Sequence, residues 1–493
     1  MSNKEGNTIQ VFWVFIGNAM ALGFTIISSM FLSRYLDKQD YGTYKQVMYV
    51  YSSLLAIFTL GLPKAYSYFL PRVSNGEAKD LINKINIVLL FMGGMMTLVI
   101  YFGAGAIASV LKNPLLEEPL RYFSFVPLFM IPTMGIEGIL ATYKQTKFLA
   151  VYNTVTKAFM LMCVVMPVVV FNKGINAAIL GFTLSSFFCF VLALFFKYRP
   201  IRSYDKEESP YTYRDIFNFA LPLMGASLWG IIINSSDQFF ISRYFGNEVF
   251  ADFANGSLEL PFVGMIIVAT STVLLPIFSK YAFDQGEENK VKIIDLWKSV
   301  MSKTVKLIYP LVVFCFCFSD IIMILLYGEK YSNSGSYFQI KIIVNFFTII
   351  AYAPLMFAIG GQKFYFKVHM YGALIVVLLE YCVVLCFNSS YLVTIVSVLC
   401  QIGRIVIMSL YLSKYFNIRI KELFPLKLII NIVVPSLIFL YVIRYGLEYF
   451  DLSIIILIVL SFVMYLVFFG LWVYYRKIDY LSIVMPLINR IKK

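Results

Sequence analysis

Residues 452–475 read LSIIILIVLSFVMYLVFFGLWVYY, 24 positions without a charge. Wound as an α-helix at 1.5 Å per residue, the run is about 36 Å long, enough to cross a hydrocarbon core of about 30 Å. Runs of 18 or more nearly uncharged residues recur along the whole chain. Fourteen spans are expected, at about 9–33, 43–70, 82–111, 120–143, 149–171, 175–197, 216–243, 249–279, 300–327, 335–360, 366–388, 391–413, 427–446 and 452–475. None alternates with period two, and backbone groups in lipid must be satisfied within their own segment, so the spans are helices rather than barrel strands. Composition agrees: of 493 residues 60% are hydrophobic and only 14% charged, against roughly 25% charged in a soluble domain.

The charges orient the spans. The N-terminus and the loops after even-numbered spans hold 28 of the 41 Lys and Arg residues, among them Lys79, Lys84, Lys197, Lys206, Lys306, Lys421 and Arg476. That bias places both termini in the cytoplasm. It also accounts for the net charge of +14 without a nucleic-acid partner, because no basic face is gathered on one domain. The first apolar run has full span length and lacks a small-residue cleavage site, so it is expected to be an uncleaved anchor. All seven cysteines fall within apolar segments, with neither a disulfide framework nor metal-ligand spacing. No cofactor is expected. An enzyme such as a polysaccharide polymerase would need an acid–base or nucleophile constellation, usually on a sizeable loop; the chain has one histidine, His369, and no loop beyond roughly 20 residues. Nor does any segment resemble a channel's selectivity filter.

Phe31-Leu-Ser-Arg34-Tyr35-Leu36 recurs as Phe240-Ile-Ser-Arg243-Tyr244-Phe245, Asn75-Gly76-Glu77 as Gln285-Gly286-Glu287, and Ala141-Thr-Tyr-Lys-Gln145 as Ala358-Ile-Gly-Gly-Gln362. The matches come in order at offsets of 209, 210 and 217. Six spans separate the copies, so the repeats are parallel. The expected fold is an all-α polytopic membrane protein with an N-terminal six-helix bundle (1–197), a cytoplasmic linker (198–214), a C-terminal six-helix bundle (215–414), two additional transmembrane helices (426–476) and a cytoplasmic amphipathic tail (477–493). Prolines inside spans, including Pro63, Pro132, Pro167, Pro222, Pro310, Pro354 and Pro435, would kink helices and free carbonyls.

FLSRYLDKQDYGTY (residues 31–44), the later Gly61-Leu62-Pro63, and Asn234-Ser-Ser-Asp237-Gln-Phe-Phe-Ile-Ser-Arg243-Tyr-Phe-Gly246 resemble segments of the polysaccharide and O-antigen flippases. These belong to the multidrug, oligosaccharidyl-lipid and polysaccharide exporter superfamily. Gln238 departs from the basic residue that many relatives carry after the Asp. The resemblance implies a flippase, not an enzyme, in a bacterial cytoplasmic membrane. Its cargo would be an oligosaccharide on undecaprenyl pyrophosphate, an O-antigen, capsule or exopolysaccharide repeat unit, moved to the outer leaflet by alternating access. Membrane lipids and other glycan-assembly membrane proteins are its expected partners. A peptidoglycan-precursor flippase and a cation-coupled multidrug exporter remain alternatives on the same fold.

Ionisable groups at membrane depth are functional candidates by default. Lys64, Lys157, Arg404, Arg34 and Arg243 carry the sign a pyrophosphate needs. Glu137, Asp237, Glu259, Asp320 and Glu380 are candidates to carry a coupling proton or sodium ion, or to serve as charge partners of those bases.

Overall fold

A computed structural model describes residues 7–283 and 286–480. Among the described residues the secondary structure is helical, with no strand. In order the helices are α1 (Asn7–Tyr35), α2 (Lys38–Phe58), α3 (Pro63–Phe69), α4 (Asn75–Val110), α5 (Glu117–Phe123), α6 (Val126–Met130), α7 (Ile136–Thr142), α8 (Thr146–Val169), α9 (Ile175–Tyr198) and α10 (Tyr213–Gly256). There follow α11 (Pro261–Phe283), α12 (Glu287–Cys317), α13 (Ser319–Tyr327), α14 (Ser334–Ile342), α15 (Tyr352–Ala358), α16 (Gln362–Phe387), α17 (Ser390–Phe416), α18 (Leu426–Glu448) and α19 (Ile454–Tyr475). Two compact units divide the chain, Met1–Ala251 and Asp252–Lys493. The expected tail helix lies outside the described residues.

This is a multi-pass membrane protein. Among the described residues eleven helices are long and apolar enough to cross a bilayer, or twelve if α2 and the segment Pro63–Arg72, bent by 40°, form one span. Fourteen is not reached by this measure, and the expected spans that depart from it are broken ones. The tenth is split into α14, a 3₁₀ turn Ile343–Phe346 and α15. The eighth begins inside α10, whose 44 residues bend at the non-helical Gly246 (φ 83°), and resumes as α11 after a non-helical stretch at 257–260. The fourth is also interrupted, as α5, α6, a 3₁₀ turn Ile131–Thr133 and α7, within the single stretch Pro114–Thr142.

Proline explains part of this. Pro63 opens α3, Pro132 lies in the interruption before α7, and Pro354 sits in the first turn of α15. At Pro310 and Pro435 the helix continues through the proline and another side chain takes up the carbonyl four residues back. Pro310 leaves the Lys306 carbonyl free, and Tyr480 Oη donates to it at 3.0 Å. Pro435 leaves that of Asn431 free, and Trp472 Nε1 donates to it at 2.8 Å. Each freed acceptor in lipid would otherwise be an unmet hydrogen bond.

In the first unit, α4 starts with a capping box. Ser74 Oγ accepts from the Glu77 amide at 3.2 Å, and Glu77 Oε2 accepts from the Ser74 amide at 2.7 Å. The repeated Gly-Glu of the sequence is therefore a helix start in both places, since α12 begins directly after Gly286, though without a side-chain cap there. The 198–214 segment is strapped onto the α4 start. Ser74 Oγ donates to Glu207 Oε2 (3.0 Å), the Glu207 amide to the Gly76 carbonyl (3.2 Å), and Lys79 Nζ to the Tyr204 carbonyl (3.2 Å). Asp80 pairs with both Lys84 (2.7 Å) and Lys206 (3.1 Å). Lys84, expected in a loop, thus lies inside α4.

Candidate functional site

The first unit contains a cavity of ≈ 510 Å³ at the interruption between α6 and α7. Its polar lining comes from Ser52 and Thr59 of the α2 region, Thr133 and Glu137 at the interruption, and Tyr152 and Asn153 on α8. Gly135 turns the chain there with φ +80°, and a side chain at that position would collide with the Tyr66 ring. Lys197 holds the turn. Its side chain is 0% exposed, and Nζ donates to the carbonyls of Pro132 (2.7 Å) and Met134 (2.8 Å) and to Asn86 Oδ1 (2.9 Å), with Tyr66 Oη at 3.4 Å. From the orientation bias Lys197 is expected among the loop cations. It is instead the buried clamp of a broken helix, satisfying carbonyls that an unbroken helix would have paired internally.

Of the sequence-predicted residues, Glu137 is exposed into this cavity and makes no ion pair among the described residues. Lys64 is exposed one position beyond the lining Pro63 but does not itself line the space. Lys157 is half-buried on α8, one turn beyond Asn153 and within electrostatic reach of Cys189 on α9. It stands about 17 Å from either end of its helix, too deep to snorkel cheaply.

A second cavity, ≈ 230 Å³, lies in the second unit beside the interruption before α15. Thr348, Tyr352, Tyr365, His369, Gln401 and Arg404 contribute its polar lining. Arg404 is about 20 Å from either end of α17. Its stem crosses α16 at Gly372, where a methyl would sit 2.6 Å from Cδ. Its Nε is buried without a hydrogen-bond partner, and the residue makes no ion pair with a carboxylate among the described residues. Glu380, 0% exposed on α16, and Arg404 both lie within electrostatic reach of Cys400.

The remaining candidates go elsewhere. Arg34 is exposed in the last turn of α1. Arg243 donates to the Val110 carbonyl, capping the C-terminal end of α4, where a cation also suits the helix dipole. Asp237 is buried on α10 and its Oδ1 accepts from the Gln238 amide at 2.8 Å. Glu259 is exposed in the non-helical stretch 257–260 rather than within a helix. Asp320 is bound by Arg444 through both oxygens, at 3.0 and 2.7 Å, and Arg444 also reaches Glu448 (2.9 Å) and the Cys317 carbonyl (2.6 Å). Asp320 is thus a charge partner, of a base not among the candidates.

The motif DKQDYGTYKQ (residues 37–46) has its own work. Asp37 caps α2 by accepting from the Asp40 amide at 2.7 Å. Gly42 lies against α10 so closely that a Cβ would collide with the Asn247 carbonyl. Gln46 Nε2 donates to Ser242 Oγ (2.9 Å), while Asn113 Nδ2 donates to Gln46 Oε1 (2.6 Å) and Thr43 Oγ1 (3.0 Å). Asn247 Nδ2 reaches the same threonine at 3.2 Å. The motif is a polar clasp between α2, α10 and the segment after α4.

The family model for polysaccharide biosynthesis protein matches residues 31–336, beginning at Phe31 of the FLSRYL segment. The chain belongs to this family. Among curated protein sequences none matches the chain. Solved structures that resemble this family member include lipid II flippase MurJ in an inward closed conformation, at TM-score 0.68 and 15% identity over 95% of this chain and 99% of that one. An inward-facing multidrug resistance MATE family transporter of the MOP superfamily aligns at TM-score 0.62 and 12% identity, covering 82% of this chain and 98% of that one. A MOP superfamily transporter from Pyrococcus furiosus aligns at 0.56 and 15%, covering 82% and 94%. The family member therefore has the fold of MOP-superfamily transporters.

Proposed function

We propose that this chain is a flippase for lipid-linked oligosaccharide, an undecaprenyl-pyrophosphate-borne repeat unit of O-antigen, capsule or exopolysaccharide. It would carry the repeat unit from the cytoplasmic to the outer leaflet of a bacterial cytoplasmic membrane, with both termini cytoplasmic. The observation that carries the reading is the pair of mid-span cations, Lys157 in one unit and Arg404 in the other, neither ion-paired to a carboxylate among the described residues. A bare diphosphate in hydrocarbon is prohibitively costly, and charge-assisted hydrogen bonds from Lys and Arg offset that cost. Membership in a polysaccharide biosynthesis family adds the sugar. Hydroxyl and amide groups around the first cavity suit a glycan. Each unit interrupts one helix beside its cavity, at residues 134 and 351, which are 217 apart like the Ala141 and Ala358 match. Paired broken helices are where such repeats place their sites, and residues 1–197 and 215–414 are the two bundles we assign to them. Glu137, open to the cavity, is the candidate for a coupling proton or sodium ion.

The test is complementation of a flippase-deletion strain, with surface glycan and protein abundance measured together. Lys157→Ala/Arg404→Ala should lower export at least tenfold at near-normal abundance, and Lys157→Arg should keep more function than Lys157→Ala. Normal export by the stable double variant would overturn the reading. A lipid-linked peptidoglycan precursor is the second reading. It is favoured by the 95% coverage in the likeness to lipid II flippase MurJ, and the lipid that accumulates in the deletion strain separates the two.

A further inference from the structure

The second unit carries a cluster of cations that the transport reading does not use. Lys306 on α12, Lys421 and Lys427 around the start of α18, and Arg476 and Lys477 after α19 line one cavity of ≈ 680 Å³ together with Asn431 and Asp479. None of the five makes an ion pair with a carboxylate among the described residues. The walls are built. Lys306 Nζ donates to the Asp479 carbonyl, and Tyr480 Oη returns a hydrogen bond to the Lys306 carbonyl at 3.0 Å. Arg476 lies 5.0 Å from the Trp472 ring centroid and reaches Asn431 Oδ1 at 3.4 Å. Trp472 in turn donates to the Asn431 carbonyl.

Phe424 and Leu426 belong both to this basic cavity and to a second, almost wholly apolar groove of ≈ 510 Å³. Phe346, Phe347, Val433 and Leu437 line that groove. A free anion would have no use for an apolar extension, and a hydrocarbon chain none for five cations. A phosphate with a chain attached uses both. The five are also among the cations whose one-sided excess orients the chain, on the side where anionic lipids concentrate.

We propose that this composite site binds an anionic phospholipid of the cytoplasmic leaflet. Its phosphate sits among Lys306, Lys421, Lys427 and Arg476, and one acyl chain enters the groove past Phe424 and Leu426. Each basic residue contributes about fivefold to such binding, so removing three weakens it by about a hundredfold. The experiment is native mass spectrometry of the full-length protein after exchange into defined lipid, with phosphatidylglycerol, phosphatidylcholine and polyprenyl diphosphate supplied separately and in competition. Phosphatidylglycerol should be retained over phosphatidylcholine. Retention should fall about a hundredfold in Lys421→Gln/Lys427→Gln/Arg476→Gln, and persist in Lys421→Arg/Lys427→Arg/Arg476→Lys and in a control lacking the exposed Lys363 and Lys367. A matching elution volume shows that the glutamine variant is folded; if it is not, the single variant Lys427→Gln, about fivefold weaker, is read instead. Equal retention of phosphatidylcholine, or unchanged retention in the folded glutamine variant, overturns the proposal. Displacement of phosphatidylglycerol by equimolar polyprenyl diphosphate would also overturn it, making the site a cargo entrance.

Discussion

Replacing Lys197 by Met keeps an unbranched apolar stem and deletes the buried amine that holds the interruption before α7. Two acceptors then lose their donor, the Pro132 and Met134 carbonyls, while Asn86 Oδ1 loses one of two and keeps the hydrogen bond from Tyr66 Oη at 2.6 Å. Asn86 retains its own bond from Nδ2 to Tyr198 Oη at 3.1 Å, so its loss is partial. An orphaned buried acceptor costs about 1–3 kcal/mol, and relief from burying the amine returns part of the total. The net loss expected is about 3 kcal/mol. If the unit unfolds cooperatively, the apparent melting midpoint falls by about 6–12 °C, readable by fluorescence-detected size exclusion after heating. Lys197→Arg should be only partly rescued, because a planar guanidinium cannot present hydrogens to acceptors grouped around a single nitrogen. The turn at Gly135 lines the cavity, so glycan export per folded molecule should fall as well. A Lys197→Met protein with unchanged midpoint and unchanged export would refute the clamp.

Three further outcomes follow from the geometry. Gly42→Ala forces a methyl into the Asn247 backbone rather than a flexible side chain and should cost about 1–3 kcal/mol, lowering the midpoint and membrane abundance; a neutral result would show that α2 can shift on α10. Arg444→Met should destabilise by about 1–2 kcal/mol, a modest figure because the pair is 25% and 43% exposed. Adding Asp320→Asn should recover most of the loss, and the coupling is read from the double-mutant cycle. For topology, in a background without the native cysteines, single cysteines at the exposed Ser203, Leu115 and Asn333 should label from the cytoplasm, the outside and the outside respectively. Asn113 is a poor reporter because its amide is buried in the clasp; one reversed site breaks the assigned orientation.

The membrane class was legible from runs such as 452–475, because hydrophobic length is a property of consecutive residues. Helix interruptions were legible only in part. Pro63, Pro132 and Pro354 mark real breaks, whereas Pro310 and Pro435 lie in continuous helices whose freed carbonyls are met by Tyr480 and Trp472. Those donors come from 37 or more residues downstream, so no local pattern separates the two cases. Lys197 stands at the end of an apolar run beside a charged linker, where a cation fits the orientation bias equally well. Its acceptors are 63–131 residues away, and only the fold reveals them. Glu137 and Asp320 were singled out by one rule, as acids in apolar runs, and that rule gave no means to tell an acid open to a cavity from one whose partner Arg444 is 124 residues later.

The strap between the start of α4 and the 204–211 segment also bears on how the protein is made. Ser74 and Glu207 are separated by 133 residues, so at 5–20 residues per second a ribosome needs about 7–27 s to deliver the partner. The interruption at residues 131–135 likewise enters the bilayer before Lys197 exists, waiting about 3–13 s across the 63–65 residues to its donor. During that interval the two unmet carbonyls must be kept from lipid by water or by the insertion machinery. The last turn of α9 and the linker behind it would then close the first unit as one late event of synthesis, and chains stalled shortly before residue 197 should be the ones that quality-control proteases remove.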